Sequence, residues 1–166
     1  MIAQYRRCLA IPYWRVMATW HESLGLGVSG GEVFETVTEL LAGGTFQSSF
    51  NPGHLIHYEE WLDSPIRAGS DDPIASGMVL QTDIIPTGIR PGWTANCEDT
   101  VAIADASLRA ELAERHPELW ARVQARQAFV RDRLGIALRD EVLPLSCAPA
   151  YLAPFWLSPD RALAFV

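Results

Sequence analysis

Apolar residues recur at helical spacing from the start of the chain. Ile2, Tyr5, Leu9 and Ile11 predict one helix over about 2–24, kinked at Pro12, where a ring replaces a backbone donor. Gly25-Leu26-Gly27 ends it. Ser29-Gly30-Gly31-Glu32 has capping-box spacing and opens a second helix with Val33, Val37, Leu40 and Leu41 on one face, stopped by Gly43-Gly44. After a loop through Pro52 come three apolar stretches that read as buried strands: 53–60, 77–86 and 96–101, separated by a solvated loop over 66–76. Met78–Ile85 and Thr100–Ala104 are the strand segments proper. A polar helical tract then runs from Ser107 to about Leu134, restarted at Pro117, with Leu119, Val123, Val130 and Leu134 as its packing stripe. The Pro-broken, aromatic tail over 143–157 reads as irregular chain covering the sheet, followed by a short last strand at Ala162–Val166.

The three strand-like stretches carry His54, Asp83 and Glu98. A buried carboxylate costs several kcal/mol unless it is paired or metal-bound, and one His with two carboxylates suits zinc, manganese, cobalt or iron. An arginine such as Arg90 is the alternative partner for Asp83. His57, two residues after His54, projects to the same face of a strand. Cys97 points away from Glu98 and reads as a core thiol, whereas His21 and His116 read as surface or capping residues. Trp61 and Trp93 flank the motif region. No Gly-x-Ser-x-Gly elbow and no phosphate loop is present, and Ser146 has no flanking glycines.

The order and content of these motifs resemble the C-terminal part of the pita-bread metallopeptidase fold, the superfamily of methionine aminopeptidase, aminopeptidase P, prolidase and creatinase. The matching residues are Gly53-His54, then Gly77-Met78-Val79 with Asp83 and Pro86, then Glu98-Asp99-Thr100-Val101, and the likeness covers roughly residues 2–104. The resemblance implies an α/β fold with a curved, mostly antiparallel sheet and helices on its outer face. It makes His54 a terminal metal ligand, puts Asp83 where the family has Glu, and makes Glu98 a bridge between two divalent ions (Mn, Co, Zn or Fe). It places His57, or one of Glu59 and Glu60, against a peptide or small amide substrate. The implied activity is hydrolysis of a peptide bond near an N-terminus, in the manner of Xaa-Pro aminopeptidase or prolidase.

The chain departs from that pattern at three points. The family's two Asp ligands lie on strands before the first helix, and here the helical face begins at residue 2. The chain is therefore expected to start inside a domain and to lack those ligands. The family's second His falls near Trp61 or Asp63 and is absent, and Asp83 is one methylene shorter than Glu, about 1.5 Å. Two readings remain open: a metallopeptidase with an incomplete site, or a catalytically inactive relative serving as a binding or dimerisation module.

Composition narrows the partners. The 166 residues suit a single domain, here the C-terminal half of a pita-bread catalytic domain with an added helix and Pro-rich tail. The net charge is −7 and every basic residue is Arg, dispersed along the chain, which argues against nucleic acid or an anionic membrane as partner. Three widely spaced cysteines fit reduced thiols in the cytoplasm, and nothing resembles a signal peptide. An exposed sheet edge left by missing N-terminal strands predicts a homo-oligomer or a completing N-terminal segment.

Overall fold

The computed structural model describes residues 1–56, 62–151, 158 and 160–166. The chain opens in three continuous helical pieces: α1 (Ile2–Tyr5), a π-helical turn (Arg6–Ala10) and α2 (Ile11–Ser23). The kink expected at Pro12 is absorbed as that wider turn. Pro12 has no N–H to offer the carbonyl four residues back. That carbonyl, Cys8 O, accepts instead from Thr45 Oγ1 at 2.6 Å.

Helix α3 (Gly30–Ala42) starts with the expected capping box. Ser29 Oγ accepts from Glu32 N at 3.1 Å, and the Glu32 carboxylate accepts from Ser29 N at 2.9 Å. Glycine is required at position 30, where a Cβ would lie 1.9 Å from Pro65 O. Gly43 N and Gly44 N close the helix on Glu39 O and Leu41 O.

Strands β1 (Gln47–Ser48) and β4 (Pro86–Thr87) pair as a small ribbon. Strands β2 (Gly53–Leu55), β3 (Val79–Thr82), β5 (Thr100–Ile103) and β6 (Val142–Pro144) form an antiparallel sheet in the order β2-β3-β5-β6. The second strand is shorter than its apolar run suggested, and Asp83 lies just past its end. The third stretch pairs as a strand only from Thr100. Leu143 and Pro144, expected to be irregular, belong to β6, the outermost strand beside β5. The strand expected at Ala162–Val166 does not form; that segment is held by Phe165 N donating to Leu134 O at 2.9 Å.

Helices α4 (Ala106–Arg115) and α5 (Pro117–Ala128) restart at Pro117 as the sequence indicates, and α5 runs on into a second π-helical turn, Phe129–Arg133. Val123, Val130 and Leu134 are buried, whereas Leu119 is exposed.

Directly paired residues share a face. Leu80, Val101, Ile103 and Val142 therefore lie together, and this face packs against Tyr13, Trp14, Met17 and Trp20 of α2 in the main core. Each of these large side chains contributes roughly 1.5–3 kcal/mol by burial. Ala102 and Leu143 lie on the opposite face, where Val123 of α5 covers them in a second cluster. Helices thus flank the sheet on both faces, not on an outer face alone. No helix among the described residues is long and apolar enough to cross a membrane.

Candidate functional site

Beyond the Val123 cluster, that second face carries the polar residues singled out above. His54 pairs with Gln81, and Gln81 with Thr100, which sets the three on one face across β2, β3 and β5. Asp83 and Glu98 continue it, each two residues beyond a member of this row.

Gly53 fixes where His54 stands. A Cβ at position 53 would lie 2.8 Å from both Gln81 O and Trp20 Nε1, so α2 and β3 meet the chain where only glycine fits. His54 is buried, and its Nδ1 lies 2.8 Å from Leu55 O. A carbonyl can only accept, so Nδ1 carries a hydrogen and Nε2 is the nitrogen turned toward Asp83. That nitrogen lies 3.8 Å from Asp83 Oδ2, and both side chains are 5% exposed. A backbone carbonyl that sets the tautomer in this way is a common support for a metal-binding histidine.

Glu98 differs from the expectation. It is exposed, and each of its carboxylate oxygens accepts from an amide: Oε2 from Gln81 Nε2 at 2.7 Å, Oε1 from Asn96 Nδ2 at 3.0 Å. Asp83 is buried as its apolar run suggested, and Glu98 is not. Arg90, the alternative partner for Asp83, instead donates to Gln4 and lies over the Trp93 ring. His57, Glu59, Glu60 and Trp61 lie outside the described residues. Among the described residues, no three His, Cys, Asp or Glu side chains gather into a group that could hold a metal ion. His54 and Asp83 come together; Glu98 shares their face but is held by its own amide clamp. His54 and Asp83 by themselves do not make up a metal centre.

Helix α2 supports this row from below. Tyr13 Oη accepts from Cys97 N at 2.8 Å, which anchors the residue before Glu98. Burial, reinforced by Cys97, Asp83 and Glu98, holds the Tyr13 phenol far above its ordinary value. Burial also pushes the Cys97 thiol up to about 12, with Asp99 and Glu98 adding to the effect. Cys97 is the core thiol its position suggested, and all three cysteines are free.

Sequence reading missed His21. It is not a surface residue: it is 1% exposed, and its Nε2 lies 3.0 Å from Asp99 Oδ2. Its Nδ1 lies 2.8 Å from Met17 O. Ser146 Oγ donates to the other Asp99 oxygen and accepts from Ala148 N. One buried carboxylate thereby ties α2, the entrance to β5 and the exit from β6 together. This is not a nucleophile triad, since Ser146 meets Asp99 and not the imidazole. Parity along β5 was the available signal: Asp99 alternates with Glu98 onto the helix-facing side.

No protein-family model, curated protein or solved structure matches the chain.

Proposed function

We propose that the chain is a metallopeptidase-like protein of the pita-bread type, resembling Xaa-Pro aminopeptidase and prolidase. In this reading it supplies the His- and carboxylate-bearing side of a centre for amide hydrolysis in the cytoplasm. The observation that carries it is the row on one sheet face: His54 with its tautomer set by Leu55 O, Asp83 beside it, and Glu98 beyond Gln81. The remaining donors come from polypeptide outside the described residues, in this chain, a second copy or a separate segment. A divalent metal held there would supply an activated water and polarise the scissile carbonyl. The chain's own residues orient: Leu55 O turns the imidazole, and Gln81 and Asn96 hold the Glu98 carboxylate.

The amide clamp favours a second reading, a catalytically inactive relative used for binding or dimerisation, because both Glu98 oxygens already have donors. Calorimetric titration with Mn²⁺ and Co²⁺ of the wild type, Asp83→Ala and Glu98→Ala separates the two. Stoichiometric binding lost in Asp83→Ala, with Xaa-Pro cleavage that needs the metal, supports the hydrolase. No binding by a folded wild type, alone or self-associated, overturns it and leaves the binding module.

A further inference from the structure

Away from that face, a groove of about 350 Å³ opens between the start of α2 and the C-terminal end of α3. Val16, Leu41 and Phe46 are buried and form its floor, Ile11 forms a lip, and Arg7 and Arg15 also line it. Arg7 and Arg15 line the groove together with Ile11, so two guanidinium-bearing side chains border one apolar groove. Among the described residues neither arginine forms an ion pair, in a chain whose net charge is −7. Two uncommitted cations on one apolar groove of an acidic protein select an anion with an apolar body. The volume lies at the low end of small-molecule sites, which run from roughly 300 to 1,000 Å³.

We infer that this groove binds a medium-chain fatty carboxylate, its tail on the apolar floor and its head on Arg7 or Arg15. The planar guanidinium matches a carboxylate in two parallel hydrogen bonds. A phosphate head, with roughly one and a half to two charges against a carboxylate's one, is the more disfavoured because the helix end at the groove is a C-terminus, which presents carbonyls and partial negative charge. A peptide is disfavoured because its backbone would need donors that the groove has already used. Gly43 N and Gly44 N are committed to α3 carbonyls, Thr45 Oγ1 to Cys8 O, and Pro12 has no N–H.

The test is calorimetry of the full chain with sodium decanoate, beside decanol, inorganic phosphate and an N-acetylated apolar dipeptide bearing a free carboxylate. Decanoate is expected to bind one to one and more tightly than the other three. Arg7→Gln with Arg15→Gln should weaken it by roughly tenfold or more. Gly43→Phe should block the groove without disturbing the fold: Gly43 has φ −90°, and a Cβ there meets nothing within 4 Å. Unchanged melting midpoints in both variants confirm that the loss is one of binding. Absence of saturable decanoate binding at about 1 mM, equal binding of decanol, or full binding by Gly43→Phe would each overturn the inference. Tighter binding of phosphate or of the dipeptide overturns the choice of ligand.

Discussion

His21 and Asp99, 78 positions apart in sequence, meet at 3.0 Å inside the protein with 1% of either side chain exposed. Removing one member of such a buried hydrogen-bonded pair costs about 1–3 kcal/mol, because the other is left without its partner. Asp99→Ala is expected to lower stability in that range, and Ser146→Ala by about 1 kcal/mol, the worth of one hydrogen bond. Urea unfolding of His21→Ala, Asp99→Ala and the double variant gives the coupling. An additive double variant, within about 0.5 kcal/mol, would show that the contact contributes little.

Gly53→Ala forces a methyl group against Gln81 O and the Trp20 indole. Overpacking of this kind costs roughly 1–3 kcal/mol. The urea midpoint should fall while the slope stays constant, and Trp20 fluorescence should shift because the ring moves. A wild-type midpoint would mean that glycine is not needed before His54.

Thr45 and Pro12 act on the same carbonyl, one donating to it and the other failing to. Thr45→Val should cost about 1 kcal/mol. In a Pro12→Ala background, residue 12 regains an N–H for Cys8 O, and the Thr45→Val penalty should largely vanish. A protected residue-12 amide in hydrogen exchange would mark the return of a regular α-turn. Equal Thr45→Val costs in both backgrounds would dissociate the π turn from the proline.

Alkaline pH should unfold the protein early. The Cys97 thiol rises from 9.0 to about 12 on folding. Below pH 9 the thiol is neutral in both states and its contribution is constant. Between 9 and 12 the unfolded thiol ionises first, so stability falls by up to about 1.4 kcal/mol per pH unit. Tyr13, raised from 10.0, adds to the loss in the same direction. Cys97→Val should flatten the thiol's share of the decline in urea midpoints measured from pH 8 to 11. An equally steep decline in that variant would assign the effect to Tyr13 and other groups.

What the sequence made legible was local. The Ser29–Glu32 box, the Gly43-Gly44 stop and the restart at Pro117 each depend on a few neighbouring residues, and each appears where the pattern put it. That apolar runs such as 79–82 form strands was also readable, because they carry strand propensity regardless of partners, whereas the antiparallel arrangement was expected from the family resemblance and helices on both faces were not expected. Long-range choices were not legible. A histidine on a helix gives no sign that it will meet Asp99, and Ser146 none that it lies under the sheet. An apolar run likewise overstated Glu98, because pairing begins only at Thr100, two residues after it, and its carboxylate faces solvent. Pro144 hid β6, since proline argues against a central strand, yet β6 pairs on one side only.

The two borders of the sheet are finished differently. Along β6, the Gln127 side chain donates to Asp140 O at 3.1 Å and to Val142 O at 2.8 Å, so a helix occupies the hydrogen-bonding groups another strand would seek. Along β2, among the described residues, no strand follows, and a lone serine hydroxyl from Ser64 holds the Gly53 carbonyl. Among the described residues, the sheet is therefore polar in the sense that a filament is: one end is closed by a helix and the other is not closed by a strand. A strand that joined it there, from the same polypeptide or another, would arrive beside His54, whose side chain is already buried, so enlarging the sheet would thicken the wall around that histidine.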